Sequence, residues 1–291
     1  MTTFANPVIA PDSQAFKTHV RVQWDRSAQG WNDHSAEIRV WLRQATDAML
    51  DMAGVNAGAS VLDVAAGAGD QTLDIAQRVG PQGRVLATDL SKAILMLAQR
   101  NAQLSGMHNI QTLVADGEDL PVEPASFDAA VCRLGLMFFP NPLEGLRGMH
   151  NALRPGGGIC TMVFSRPERN PCLGILMSTA LEHAGQPARD PFQPGGLLSL
   201  GKPGLLDELF RSAGFHKIST TALDAPFRLS SARNYLDFVR ASASPIQQIL
   251  SRLTSAAADA AWAEMEERLG VFTTSDGWVG PNELLLTSAK R

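Results

Sequence analysis

An apolar run in the sequence leads directly into two closely spaced glycines. The segment VLDVAAGAGD occupies residues 61–70, so an expected strand ends in a turn that contains Gly67 and Gly69. Glycines at such a turn let a ligand come close to the backbone, and the start of the following helix presents free N–H groups and the positive end of a dipole. The segment therefore predicts a ligand site at this turn, without identifying the ligand.

The spacing of these glycines departs from the fingerprint of dinucleotide-binding proteins. That fingerprint, G-x-G-x-x-G/A, requires a small residue three positions after the second glycine, where this sequence has Thr72. A nicotinamide-dependent oxidoreductase with a similar sheet therefore stays open only as an alternative.

Four later segments place polar residues and turns in a regular order along the chain. They are LATDL at residues 86–90, VADGEDLP at 114–121, FDAAVCR at 127–133 and ALRPGG at 152–157. Together with the Gly-x-Gly turn, they resemble the class I methyltransferases that use S-adenosylmethionine. The resemblance covers roughly residues 40–164 in detail.

The resemblance implies roles for particular residues. Asp63 would contact or support the cofactor, and Asp89 would grip both ribose hydroxyls, since a carboxylate can accept two hydrogen bonds at once. Asp116 would accept a hydrogen bond from the adenine amino group, and Gly117 would let the ring lie flat. The expected cofactor-binding residues are Asp63, Ala65, Gly67, Gly69, Asp89, Leu90, Asp116, Gly117, Glu118 and Arg133.

Each of these residues also has a purely structural interpretation. Asp63 could cap the turn by accepting backbone N–H groups, and Asp89 could cap the following helix, a task that Ser91 could also perform. Asp116 could belong to a solvated turn, and Arg133 could pair with a nearby carboxylate.

Within that family, the menaquinone and ubiquinone biosynthetic C-methyltransferases are the most similar group. The similarity rests on the Asp-Gly-Glu-x-Leu-Pro segment at 116–121 and on the RLGLMFF run at 133–139. Two features depart from those enzymes: Ala65-Ala66 stands where they commonly have Gly-Cys or Gly-Thr, and a long helical insertion precedes the last strand. The resemblance implies S-adenosyl-L-methionine as cofactor and in-line methyl transfer to an O, N or C atom of a small molecule.

Other functions stay open beside this one. The same motifs would occur in a protein that binds S-adenosylmethionine without turnover. Methyltransferases that modify exocyclic nitrogens in nucleic acids or proteins carry an Asn/Asp-Pro-Pro-Tyr/Phe signature after the fourth strand, where this chain has CRLG at 132–135. The sequence shows no convincing general base, so the catalytic residue is left open.

Bulky residues close to these motifs are candidates for the acceptor side of the site. We expect walls from the N-terminal helices, residues 134–139, the insertion after Phe164 and a C-terminal helical cap, enclosing a small, flat or apolar acceptor. The expected substrate-lining residues are Trp24, Trp31, Arg133, Met137 and Phe138. Packing inside the core is the structural alternative for the apolar members.

The elements that must position these residues follow from the pattern of apolar residues. Short β-rich runs alternate with helix-length segments between residues 60 and 164, which predicts an α/β fold. We expect a Rossmann-like, seven-stranded, mostly parallel sheet with helices on both faces, N-terminal helices that flank a turn near Gly30, and helical cap insertions. The predicted strands are 60–64, 84–88, 110–115, 127–132, 158–164, 216–229 and 284–289, and the predicted core helices are 71–79, 92–105, 143–153 and 205–213.

These elements divide the chain into four regions. Residues 1–50 form an N-terminal arm, loose over about the first 15 residues, and lid helices, and residues 51–164 form the cofactor-binding core. Residues 165–202 form an insertion over the sheet in which periodicity fades. Residues 203–291 complete the core and carry a helical cap at about 231–269.

The composition is that of an ordinary globular protein. Of 291 residues, 45% are hydrophobic and 19% charged, and the net charge of −4 argues against a basic nucleic-acid-binding surface. Three cysteines without metal-ligand spacing indicate reduced thiols in the cytoplasm and no metal site. We expect no signal peptide and no membrane span, and the oligomeric state is not predicted.

Overall fold

The computed structural model describes residues 13–242 and 244–291. The helices are α1 (Ser13–Asp33), α2 (Ser35–Ala53), α3 (Asp70–Val79), α4 (Lys92–Leu104), α5 (Pro142–Ala152), α6 (Pro171–His183), α7 (Leu205–Ser212), α8 (Ala232–Ser242), α9 (Ser244–Leu250) and α10 (Ser255–Leu269). The strands are β1 (Ser60–Val64), β2 (Arg84–Asp89), β3 (Ile110–Val114), β4 (Phe127–Arg133), β5 (Leu153–Phe164), β6 (His216–Asp224), β7 (Phe227–Leu229), β8 (Thr273–Thr274), β9 (Gly277–Gly280) and β10 (Glu283–Lys290).

A seven-stranded sheet forms the centre of the molecule. Its strand order is β3-β2-β1-β4-β5-β10-β6, in which β1 to β5 run parallel and β10 runs antiparallel to both of its neighbours. Strands β1 and β4 lie at the centre and are almost wholly buried, as expected for parallel strands covered by helices. The predicted fold class is confirmed.

The order of the strands reverses between β1 and β4. The chain runs outward from β1 to β2 and β3, then crosses back to place β4 on the other side of β1. Ligands in open α/β sheets bind beyond the carboxyl ends of the strands at such a reversal. The turns after β1, β2, β3 and β4 meet at this edge, and they contain most of the predicted cofactor-binding residues.

The turn near Gly30 was wrongly predicted. Helix α1 continues through Gly30 to Asp33, and the break falls at His34. A Cβ atom on Gly30 would overlap the backbone carbonyl of Ala241. The glycine therefore allows α1 to pack closely against α8 and does not mark a turn. The predicted loose arm falls mainly on residues 1–12, which lie outside the described residues.

Two further predictions about local structure need correction. Residues 171–183 form helix α6 inside the predicted insertion; its sequence PCLGILMSTALEH is apolar on most sides because α6 packs against both α9 and α10. The predicted strand 216–229 is interrupted at Ala225 and Pro226. Its first part is β6 of the main sheet, and its second part, β7, joins β9 and β8 in a separate three-stranded sheet.

Within the described residues, no helix has the length and apolar character needed to span a membrane. All three cysteines are buried and unbonded.

Candidate functional site

A cavity lies at the carboxyl ends of β1, β2 and β4, under the N-terminal part of α1. We call it the turn cavity. Eleven of the residues predicted for the site line it: Trp24, Trp31, Ala65, Gly67, Asp89, Leu90, Asp116, Gly117, Glu118, Arg133 and Phe138. Asp63, Gly69 and Met137 were also predicted, and they lie elsewhere.

The turn after β1 is held in a left-handed backbone conformation. Ala65, Gly67 and Gly69 have φ angles of 56°, 60° and 88°. A Cβ atom on Gly69 would lie 3.0 Å from the Cβ of Ala98, so Gly69 permits close packing between the start of α3 and α4. Its role is structural, and the prediction of direct cofactor contact at Gly69 is not supported by its position.

Asp63 is fully buried beneath this turn. Its carboxylate accepts hydrogen bonds from Thr72 Oγ1 at 2.6 Å and from Gln71 Nε2. Burial raises the pKa of Asp63 to about 6, although the hydrogen bonds from Thr72 and Gln71 oppose the shift. Asp63 therefore supports the turn from below, and Thr72, the residue that breaks the dinucleotide fingerprint, is one of its two side-chain donors.

Asp89 projects from the end of β2 and is already oriented by the backbone. Its Oδ2 accepts a hydrogen bond from Gly67 N at 3.0 Å, and its Oδ1 accepts one from Ser91 N at 2.9 Å. Burial raises the pKa of Asp89 to about 6, and the backbone hydrogen bonds oppose the shift. Ser91 caps α4, since its Oγ accepts from Ile94 N. Each oxygen of Asp89 keeps capacity for a further hydrogen bond from a ligand.

A second acidic group lies across the turn cavity from Asp89. Lys17 Nζ from α1 lies 2.7 Å from Asp116 Oδ2 and 2.6 Å from Glu118 Oε2. The other oxygen of Asp116 accepts from Glu118 N at 2.9 Å. Each oxygen of Asp116 therefore has one partner, and one of these partners is an ammonium group, also lining the turn cavity, that the sequence reasoning missed. The available signal was a lysine on a predicted lid helix and a cluster of carboxylates in need of a cation.

Gly117 follows Asp116 and lies under an aromatic ring. A Cβ atom at this position would overlap the ring of Phe139. The absence of a side chain at Gly117 therefore allows Phe139 to pack against its backbone. The expectation that Gly117 lets the adenine ring lie flat stays a prediction.

Arg133 is 8% exposed at the end of β4. Its Nη1 donates to Thr46 Oγ1 at 3.0 Å, and its Nη2 lies 3.6 Å from Asp70 Oδ2. Burial lowers the pKa of Arg133, and the carboxylates of Asp70 and Asp63 oppose the shift. The structural interpretation, pairing with a carboxylate, is thus realised, although Arg133 also lines the turn cavity.

A second, largely aromatic cavity adjoins the turn cavity. We call it the aromatic cavity; the two share Trp24, Trp31, Leu134 and Phe138. Met137 lines the aromatic cavity, as expected for a substrate-side residue. Further aromatic rings come from elements far apart in the chain, which sequence reasoning did not identify individually: Trp41, Phe164, Phe227, Tyr235 and Phe238. Among the described residues that line it, none is charged.

The shared wall of the two cavities is built from edge-to-face rings. The ring centroids of Trp24 and Trp31 are 5.8 Å apart, and those of Trp24 and Phe138 are 5.6 Å apart. Such arrangements are favoured by the ring quadrupoles. No cluster of three or more metal-ligating side chains occurs among the residues for which the structure gives positions.

Comparison with known proteins places these features in a family context. Residues 36–178 match the model of the ubiE/COQ5 methyltransferase family. The ubiquinone/menaquinone biosynthesis C-methyltransferase UbiE of Hahella chejuensis is 37% identical over 130 residues, which cover 44% of this chain and 51% of that protein. UbiE of Pseudomonas fluorescens is 34% identical over 145 residues, with coverage of 50% and 53%. The chain thus spans about half the length of these relatives, and the predicted resemblance is confirmed over that part.

Solved structures show the same fold over most of the chain. A putative methyltransferase from Bacillus halodurans has a TM-score of 0.57 and 20% identity, covering 84% of this chain and 97% of its own. Phosphoethanolamine N-methyltransferase 2 of Haemonchus contortus, in complex with S-adenosyl-L-methionine, has a TM-score of 0.55 and 16% identity, covering 89% and 57%. The [4+2]-cyclase SpnF also matches, with a TM-score of 0.52, 22% identity and coverage of 85% and 80%. The fold alone therefore does not determine the reaction.

Proposed function

We propose that this protein transfers a methyl group from S-adenosyl-L-methionine to an uncharged, apolar small molecule. The observation that carries the proposal is the junction of the two cavities: a polar one built around Asp89, Asp116 and Gly67, and an uncharged aromatic one beside it. A donor held in the first would present its methyl group to an acceptor held in the second.

The polar groups of the turn cavity suit an adenosine. Asp89 is positioned by two backbone N–H groups and can accept from two ribose hydroxyls. Asp116 would accept from the adenine amino group once Lys17 moves aside, and Gly117 and Glu118 line the same cavity. The match of residues 36–178 to the ubiE/COQ5 methyltransferase family supports the same cofactor.

Methyl transfer from a sulfonium donor requires mainly that the donor methyl group and the acceptor atom be aligned. A bound sulfonium donor supplies an activated methyl group, so the protein needs no covalent intermediate, and positioning can contribute roughly 7 to 11 kcal/mol in favourable cases. The edge-to-face wall of Trp24, Trp31 and Phe138 lies at the junction, where aromatic faces stabilise a cation by about 0.5 to 2 kcal/mol. That wall also keeps water out of the transfer path.

The aromatic cavity offers no charged base among its described residues. General-base assistance typically raises a rate by about 10² to 10⁴, and the lining of this cavity does not supply it. An acceptor bound there must therefore ionise readily or react through an electron-rich carbon. The relatives in Hahella and Pseudomonas are named as C-methyltransferases of quinone biosynthesis. We therefore propose an electron-rich ring as acceptor. The methyl group would pass from the donor sulfur, which leaves as the thioether of S-adenosylhomocysteine, and would bond to a ring carbon, whose proton would pass to solvent.

We also propose a cellular compartment and a class of acceptor for this protein. The three buried, unbonded cysteines favour a reducing compartment such as the cytoplasm. The net charge of −4 favours a small-molecule acceptor over a nucleic acid.

The test is transfer of label from methyl-labelled S-adenosylmethionine into solvent-extractable material. The purified chain is incubated with subsaturating donor and an extract of apolar metabolites, and we expect a labelled product whose rate of formation falls by about thirtyfold in the Asp89→Asn variant. Donor binding with no labelled product across broad extracts would instead support a non-catalytic binding protein. Binding of NADH or NADPH in place of the donor would support the oxidoreductase alternative.

A further inference from the structure

Tyr235 is the one tyrosine of the chain, and its ring is held firmly at the wall of the aromatic cavity. The residue lies on α8 and is 2% exposed. Its ring stacks on Trp278, with centroids 4.9 Å apart and an interplanar angle of 25°, and meets Phe227 edge-on at 5.2 Å. Trp278 is itself anchored, because its Nε1 donates to Leu269 O at 2.8 Å. The position of the Tyr235 hydroxyl is therefore determined by packing.

That hydroxyl makes no hydrogen bond to any described residue, whereas buried tyrosine hydroxyls usually find a partner. Fully enclosed side-chain oxygens without a hydrogen-bond partner do occur among the described residues, at Asp70, Thr161 and Thr179, but the Tyr235 hydroxyl is not one of these enclosed atoms. Tyr235 borders the aromatic cavity. A molecule that fills this cavity therefore contacts the Tyr235 side chain.

Burial raises the pKa of Tyr235 well above its usual value. The hydroxyl therefore keeps its proton at neutral pH, and it can act as a hydrogen-bond donor.

Apart from the second N–H of Asn282 Nδ2 and the indole N–H groups of Trp24 and Trp31, the other polar side chains around the aromatic cavity have donors that are already engaged. Ser242 Oγ donates to Phe238 O at 2.6 Å, and Asn282 Nδ2 donates to Gly280 O at 3.3 Å. Gln23 Nε2 donates to Gln248 Oε1 at 3.0 Å. Within the described part of the lining, Tyr235 is thus the hydroxyl that a bound molecule can engage without breaking an existing bond.

We propose that the hydroxyl of Tyr235 donates a hydrogen bond to an oxygen atom of the methyl acceptor and so sets the orientation of that molecule. The acceptor would then be a flat, apolar compound bearing a carbonyl, enol or phenol oxygen. This inference rests on the proposed function, because it takes the aromatic cavity to be the acceptor site. Because the hydroxyl is fixed by packing in an apolar wall, the site would discriminate against an analogue that lacks the oxygen.

The test uses two probes of almost the same shape, 1-tetralone and the hydrocarbon tetralin, which differ by one carbonyl oxygen. Their dissociation constants are measured by calorimetry with and without saturating S-adenosylhomocysteine, for the wild-type chain and for Tyr235→Phe. We expect the variant to bind 1-tetralone about fivefold to tenfold more weakly and to bind tetralin within about twofold of the wild type. Ser178→Ala, which removes a helix hydroxyl outside both cavities that donates to Ile175 O at 3.2 Å, should alter neither value.

An equal change for both probes in Tyr235→Phe would show a general effect on packing and overturn the proposal. An unchanged affinity for 1-tetralone would overturn it as well, and so would failure of the wild type to bind either probe. Titration of the same proteins with S-adenosylhomocysteine tests the proposed function separately: we expect equal affinities, and an absence of binding would refute the cofactor assignment whatever the probes do.

Discussion

Replacement of Asp89 by asparagine perturbs the proposed ribose site with little change in shape. In the structure, each carboxylate oxygen of Asp89 accepts one backbone hydrogen bond, from Gly67 at 3.0 Å and from Ser91 at 2.9 Å, and can accept one more from a ribose hydroxyl. Asparagine keeps one acceptor oxygen and loses the other together with the charge. The loss of one hydrogen bond to a charged group is worth about 2 kcal/mol, or about thirtyfold in affinity.

The assay is calorimetric titration of the folded variant with S-adenosylhomocysteine, with circular dichroism as the check on folding. The matched control is Asp128→Asn, because Asp128 Oδ2 also accepts a backbone hydrogen bond, from Ser60 N at 2.8 Å, but at the opposite edge of the sheet. We expect the control to bind like the wild type. Unchanged affinity in a folded Asp89→Asn variant would refute the placement of the ribose.

The same residue predicts a pH dependence with a definite sign. Since the pKa of Asp89 is raised to about 6, the carboxylate becomes protonated as the pH falls through that value and then resembles asparagine. The difference in affinity between wild type and Asp89→Asn should therefore shrink between pH 7 and pH 5. A difference that stays constant over this range would contradict the assignment of the charge to the binding step.

Three further changes test other parts of the site. Lys17→Met should tighten S-adenosylhomocysteine binding severalfold, as measured by calorimetry, because Lys17 lies against Asp116 Oδ2. The control is Lys92→Met, at an exposed lysine. Weaker binding by Lys17→Met would show that the lysine assists the ligand. Ala65→Gly should raise the free energy of unfolding in urea by up to about 1 kcal/mol, because a φ of 56° strains alanine and not glycine; a clear loss of stability would count against strain at this turn. Asp63, with a pKa of about 6 in the folded chain against 3.8 for the free group, binds a proton more readily when folded, so the wild type should gain about 1 kcal/mol of stability over Asp63→Asn between pH 7 and pH 5. If the difference in free energy of unfolding between wild type and Asp63→Asn stays constant, or if the wild type loses stability relative to the variant as the pH falls, then burial does not raise the pKa of Asp63.

The central sheet could be predicted well from local pattern. Strand β1 begins and ends at the predicted residues, Ser60 and Val64, and the predicted bounds of β2, β3 and β4 agree within one residue. These strands are short apolar runs between turns, and burial on both faces makes such runs distinct in sequence. The acidic residues at the ends of β2 and β3 line the turn cavity because parallel strands bring their carboxyl ends to one edge.

Other features depend on contacts that no local pattern encodes. Helix α6 is apolar on most sides, so it lacks the 3.6-residue periodicity by which helices are identified. Gly30 suggested a turn, whereas its actual role is the close approach of α8. Lys17 reaches Asp116 and Glu118 only because α1 folds over the sheet.

The aromatic cavity also could not be predicted from local sequence pattern. Its rings come from α1, α2, β5, β7, α8 and the turn after β4, and their convergence follows from tertiary packing. Trp24, Trp31, Met137 and Phe138 were predicted because they lie near recognisable motifs. Tyr235 lies beyond residue 178, where the family match ends, and nothing in its sequence neighbourhood marks it.

The most direct test is a crystal structure of the full chain with S-adenosylhomocysteine bound. We predict that both ribose hydroxyls lie within hydrogen-bonding distance of Asp89, that Lys17 has left Asp116, and that the sulfur atom faces the wall formed by Trp24 and Phe138. A nucleoside bound away from Asp89, or a turn cavity that takes up a different nucleotide in its place, would contradict the account.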